Sequence, residues 1–496
     1  MKFQEEDFLW RKSSKDLWEF QTKSQGIYEV HYEYYCSKMD AGGCWSDDRQ
    51  LYLNFSNFIF DIQERKSEQI QIRIELEKNC YVATSLPELS QHFWEAENFQ
   101  HLMDSPLLAS PDLKYDSYKV GNSTFHLWFN GEIHFDLADL KSTFKAFTKN
   151  QIEAYGDFSS KDYHFIIQLL PYRHYHGVEH RDSTVITFGP AESLKDKTQM
   201  DELVGVSSHE LYHYWNVCRI RPKGILPYDL SKEVYLEEGL VMEGVTTYMG
   251  DHYLLKSGYF NLEEYLLILQ KQIQKEFDSF GWQHQSIVQS SFDLWLDGYK
   301  AGIPEKKVSI YNRGALISLC LDLILTSFES SLEKVMKDMW IQFGKAEIGY
   351  CLKDFEKLVI LHSRDKAFIK SFFQNFVYGE KDLLPLLKNL LADINIEILE
   401  NFENNDLLHF FGIRKEDSGI ITQLHPDSEA YTILMKNDRI LEYVDNTTAD
   451  QVNLKIERLG KIININIIKS QKMFFPKFTL LTKKNPKSTL SVLIGK

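Results

Sequence analysis

His209-Glu210-Leu211-Tyr212-His213, read together with Glu243 in Glu243-Gly244-Val245-Thr246-Thr247-Tyr248, decides how this chain is understood. On an α-helix, positions i and i+4 stand one above the other. His209 and His213 can therefore aim both imidazoles at one Zn²⁺, while Glu210 reaches a water held beside them. Two histidines leave a structural metal under-coordinated. A carboxylate from a second helix gives three protein ligands and an open fourth position, which is what hydrolytic zinc chemistry requires. Residues 201–208 contain no proline, and Trp215, Val217 and Ile220 supply apolar positions before Pro222, so a helix is expected to run to that proline.

Three glutamates compete for the third ligand position. Glu238 and Glu243 are five residues apart, about 140° around an α-helix, so one helix cannot present both to the same ion. Met242, Val245 and Met249 give Glu243 the apolar neighbours of a buried helix, whereas Glu237 and Glu238 read as a solvated helix start. The expectation is one Zn²⁺ per chain on His209, His213 and Glu243, with Glu210 as general base. Thr246, Thr247 and Asp251 follow on the same helix and are expected to orient the ligating imidazoles.

Composition sets the frame around this site. With 496 residues, 43% of them hydrophobic and 14% aromatic, the chain can build several domain cores. A net charge of −15 argues against a nucleic-acid partner, because phosphate binding calls for a basic surface. The first twelve residues lack the apolar core of a signal peptide, and no apolar run reaches membrane-spanning length. The nearest, Gly314 to Phe328, is short and interrupted by Asp322. Six scattered cysteines suit a reducing compartment, so a cytoplasmic location is expected.

Patterning suggests a multidomain α+β chain in three parts. Residues 1–137 hold alternating, strand-like runs such as 28–35 and 69–75. In residues 138–398, a strand at 165–169 and an edge strand at 183–188 lead into the zinc helix. Helical runs at 262–277, 314–328 and 383–391 follow. Residues 399–496 read as a small α+β module.

The residues His209 to Pro222, Leu226-Pro227-Tyr228-Asp229, Glu243 to Tyr248, His176 to Ser183, Ser291 to Trp295 and Val308 to Leu316 resemble, in residues and spacing, the glycyl aminopeptidase family of gluzincin metallopeptidases. The resemblance covers nearly the whole chain. It implies a β-rich N-terminal domain, here apparently shortened, then a thermolysin-like zinc peptidase domain and a C-terminal PDZ-like domain. Tyr311 is then the hydroxyl donor to the developing oxyanion. Glu179 becomes the anchor for a free α-amino group, with the backbone of Gly177 and Val178 aligning the substrate. From the residues alone, Glu179 between His176 and His180 reads as an exposed strand residue. Asn216, Arg219 and Arg221 match the family without an assignable role.

In the last module, Gly412-Ile413, 418–424, 427–430 and 436–441 resemble a PDZ carboxylate loop and its following elements, with Asn437 in place of the usual glycine. A peptide or protein C-terminus is the partner implied there. Peptides, cleaved at the N-terminal bond and preferably after Gly or Ala, are the substrates implied at the zinc. A zinc endopeptidase is one alternative, against which Glu179 argues. A peptide-binding PDZ scaffold with a vestigial zinc site is the other.

Overall fold

The computed structural model describes every residue except 1, 4, 5, 8, 23, 24, 78, 299–304, 404, 444–449, 484, 485 and 496. The chain divides into two compact units, Met1–Asp112 and Leu113–Lys496. It is a mixed α+β protein with a β-rich N-terminal unit and a helical region that carries the zinc-type motif. Among the described residues, no helix is long and apolar enough to cross a membrane, and all six cysteines are free thiols.

The N-terminal unit holds a four-stranded antiparallel sheet ordered Trp45–Ser46, Leu51–Leu53, Leu107–Ser110, Tyr81–Thr84. Phe55, Trp94 and Leu107 pack in its core. Of the strand-like run 28–35, only Tyr28–Glu29 is a strand. Alternating Tyr and Glu suit a pleated surface, but a strand also needs a partner to satisfy its amides.

The boundary at Asp112 falls earlier than the sequence pattern suggested. Strands β1 (Lys114–Val120) and β2 (Ser123–Asn130) belong to the sheet of the second unit, although patterning assigned them to the first. The alternating burial of Ser123–Asn130 is the same whichever sheet a strand joins, so local pattern could not choose. Helix α1 (Leu137–Tyr155) then crosses over to β3 (Asp162–Leu169), parallel to β2. Asp136 caps the start of α1 by accepting from the amides of Ala138 and Asp139, and Gly156 ends it at φ +86°. Strand β4 (His174–His180) turns back into β5 (Ser183–Gly189), giving the order β1-β2-β3-β5-β4. Residues 183–188 are thus interior and fully buried, not the edge. The edge is β4, because β5 pairs with β3 on one side and β4 on the other.

Helix α2 (Lys197–Tyr212) lies across this sheet, followed by α3 (Thr246–Ser257), α4 (Leu262–Phe277) and α5 (Asn312–Thr326). Helix α5 is buried from Asn312 to Leu325, which explains a run that is apolar all round yet too short for a membrane. Each fully buried Leu or Ile there contributes roughly 1.5–3 kcal/mol.

The C-terminal module has its own core of Leu407, Phe411, Ile421, Ile456 and Ile467. Asn437 sits at φ +75°, a left-handed conformation that asparagine tolerates better than most side chains. Arg414 and Gln423 of the module bond the side chain and backbone carbonyl of Asp278, the residue that ends α4.

Candidate metal centre

Helix α2 ends at Tyr212, well before Pro222, so the expected longer helix is not formed. His213 is its C-terminal cap, and the chain turns tightly through Val217 at φ +93°. Trp215, Val217 and Ile220 are buried as apolar residues of that turn and not as a helix face. The turn is useful to the site. The carbonyl of Asn216 accepts Nδ1–H of His213 at 2.9 Å, which leaves Nε2 of His213 as the lone-pair nitrogen facing inward. The Asn216 side chain donates to the carbonyl of Val241 at 2.7 Å and to Thr246 Oγ1 at 2.9 Å. One asparagine thus ties the histidine-bearing turn to the glutamate-bearing segment.

That second segment is a π-helical turn, Leu240–Val245, running into α3 and carrying Glu243. Such turns widen a helix locally and re-aim a side chain. It crosses the start of α5 where two glycines meet: a Cβ on Gly244 would lie 2.5 Å from Gly314 Cα. Only glycine at both positions permits this approach, and it brings Tyr311, one turn before Gly314, to the metal side. The Tyr311 ring lies 6.4 Å from that of His209, at 27° between planes.

At the centre, Nε2 of His209 and Nε2 of His213 face each other at 3.0 Å, with Oε2 of Glu243 at 3.4 and 3.5 Å from them. Glu179, Glu210 and His213 form a second group whose ligand atoms lie within 4.8 Å of one another. Glu179 stands on edge strand β4, opposite Thr184 of β5. Gly177 lets this strand touch α2, since a Cβ there would fall 2.3 Å from Oε1 of Glu210. The carbonyl of Val178 accepts from Thr184 Oγ1 at 3.0 Å.

Three carboxylates and two imidazoles therefore converge in a largely buried space. Burial raises the carboxyl of Glu210 well above the usual range; Glu179 and Glu243 add to this against the pull of His213. Burial opposes charge on His213, yet Glu179, Glu243 and Glu210 push it up to about 10. Burial also acts against Glu243 as an anion, but the charge of His213, with both imidazole Nε2 atoms 3.4–3.5 Å away, holds it well below the usual range. Oε2 of Glu243 and Oε2 of Glu210 lack hydrogen-bond partners among the described residues. This donor set fits a zinc ion: soft-to-borderline nitrogens, one carboxylate oxygen unclaimed by any hydrogen bond, and surplus negative charge that a cation offsets.

Glu238 is placed differently from the solvated position the sequence suggested. It is buried, and its carboxylate accepts from the amides of Leu352 at 3.2 Å and Glu237 at 3.0 Å. Glu238→Ala is therefore expected to leave zinc content near that of the parent, whereas Glu243→Ala should lower zinc affinity by at least about 10–100-fold, the scale of losing even an outer partner. Zinc analysis of both purified variants checks this, and the opposite ranking would move the third ligand to Glu238.

The residues expected to orient the imidazoles do not bond them directly. Thr246 acts through Asn216 and donates to the carbonyl of Met242 at 2.6 Å. Asp251 accepts from Gln272 Nε2 at 3.0 Å, and burial pushes it up to about 7. Thr247 Oγ1 is buried without a hydrogen-bond partner among the described residues. Spacing along one helix put these groups near the ligands but could not give their partners on other helices. Arg219 was a motif residue without a role, and its geometry supplies one. It bonds the carbonyls of Arg181 and Tyr214 and the carboxylate of Asp182 at 2.8–2.9 Å, and it stacks on Tyr214. It thereby clamps the β4–β5 turn to the turn after α2. Arg221 bonds the carbonyl of Cys218 at 2.9 Å and lies over Tyr228.

Comparison with known proteins gives two family matches. The M61 glycyl aminopeptidase model covers residues 202–317, and the peptidase M61 N-terminal domain model covers residues 2–111. Curated protein sequences give no match. Among solved structures, an aminopeptidase N family protein from Idiomarina loihiensis superposes with a TM-score of 0.81 at 22% identity, over 92% of this chain and 85% of that one. An M1 zinc metallopeptidase from Deinococcus radiodurans gives a TM-score of 0.44 at 12% identity, over 69% and 72%.

Proposed function

From a chain that resembles the M61 glycyl aminopeptidase family, and is accordingly a zinc metalloaminopeptidase, we propose that its substrates are peptides cleaved at the N-terminal bond, preferably after Gly or Ala. The observation that carries this reading is the convergence of His209, His213 and Glu243 beside Glu210 and Glu179.

His209, His213 and Glu243 would hold one zinc ion per chain. Zinc in that place supplies Lewis acidity toward the scissile carbonyl and a water acidified toward neutral pH. Glu210 takes the proton of the attacking water and passes it to the leaving amine. The Tyr311 hydroxyl donates to the carbonyl oxygen as charge develops there. Glu179 receives the substrate's ammonium group, and this contact makes the enzyme an exopeptidase, because an internal peptide bond offers no such charge. Gly177 and Val178 on the free edge of β4 pair with the substrate backbone. Arg219 keeps that edge in register with α2.

The C-terminal module is proposed as a PDZ-type unit, with Gly412 at φ +66° in the loop that would receive a peptide or protein C-terminus. Its bonds to Asp278 support a second use, as a brace on the end of α4.

The zinc reading is tested with an alanyl chromogenic amide. Hydrolysis should disappear when a chelator removes the metal and return on adding one equivalent of zinc. Hydrolysis that survives complete metal removal would contradict it.

A further inference from the structure

Tyr311 borders two spaces. One face meets His209, and the residue also lines a cavity of about 260 Å³ between the end of α4 and the start of α5. Resting on the aminopeptidase reading, we propose that this cavity binds the C-terminal carboxylate of a short peptide whose N-terminal residue lies at the metal centre, so that the enzyme favours peptides of about three residues. An extended residue spans roughly 3.3 Å, so the two residues beyond the scissile bond of a tripeptide reach about 7 Å. That is the scale of the step from a ligand histidine past one tyrosine ring.

The charge of the lining supports a carboxylate. Lys275 and Lys307 both face the cavity, and Ser279 adds a hydroxyl. The one acidic residue among the described lining, Glu276, is buried and already engaged by Arg313 at 2.9 Å and by Asn312 at 3.4 Å. It is therefore not a free carboxylate facing Lys275. The indole N–H of Trp282, also in the lining, is buried without a hydrogen-bond partner among the described residues and is a further donor. In a chain of net charge −15, this is a local reversal of sign, and it favours an anionic group over a neutral or cationic one. Lysine serves such a role as a point charge, without demanding bidentate geometry.

The test compares Ala-Gly-Gly with its C-terminal amide, and each with its N-acetylated form, on the zinc-loaded full chain. The wild type should cleave the free acid about tenfold more efficiently than the amide, with the difference in KM. In Lys275→Ala the acid-to-amide ratio should fall toward one, and in Lys275→Glu it should fall below one. Lys275 is exposed, so neither variant threatens folding. Equal rates on acid and amide in the wild type, or an unchanged ratio in both variants, would remove the carboxylate site while leaving the aminopeptidase reading intact. Cleavage of the N-acetylated peptides as fast as the free ones would instead sink that reading, and this inference with it.

Discussion

Glu210→Gln should retain zinc and lose turnover by about 10²–10⁴-fold, the usual contribution of a positioned general base. Glutamine keeps the size and hydrogen-bonding reach of glutamate but cannot take a proton from water. The location makes the test clean. Glu210 is buried, its Oε1 lies so near β4 that a Cβ on Gly177 would fall 2.3 Å from it, and it supplies none of the three atoms that meet at 3.0–3.5 Å. An amide of the same shape therefore leaves His209, His213 and Glu243 in place. Zinc stoichiometry equal to the parent, measured beside kcat, separates loss of the base from loss of the metal. If more than about a tenth of the wild-type rate remained, another group would be the base.

Removing the carboxylate of Glu179 should weaken transition-state binding of peptides with a free amine by about 2–4 kcal/mol, because a desolvated ammonium would face the pocket without its partner. Peptides blocked at the amine should not share the loss. The effect is one of placement, so Glu179→Ala should bind zinc as the parent does. The strand should also hold its position, since the adjacent turn is fixed by Arg219 on Asp182 and on the carbonyl of Arg181. Parallel losses on free and blocked substrates would remove Glu179 as the amine anchor and favour an endopeptidase.

The convergence of His209, His213 and Glu243 was legible because an i, i+4 pair of histidines shares one helix face and Glu243 has apolar neighbours, whereas Glu179 entered only through the family resemblance and read from the residues alone as an exposed strand residue. What the sequence left hidden depends on contacts made across elements. Glu238 read as solvated because its partners, the amides of Leu352 and Glu237, come in part from a helix far along the chain. The early end of α2 comes where the chain turns through Val217 at φ +93° and Asn216 bonds Val241 and Thr246, contacts across elements that no periodicity encodes. Residues 114–130 fell within the N-terminal span 1–137 of the sequence reading yet pair with β3 of the second unit, since alternation as in β2 reports one buried face and not the neighbour that buries it. Asp251 lies on the helix expected, yet its partner is Gln272 on α4 and not an imidazole.

The most direct measurement is the rate of cleavage of one alanyl peptide with its amine free and with it acetylated, on zinc-loaded wild-type protein. Glu179 as the proposed amine anchor beside His209, His213 and Glu243 predicts release of alanine from the free peptide and no measurable cleavage of the acetylated one. Equal cleavage of both, or cleavage of neither with zinc bound, would contradict it.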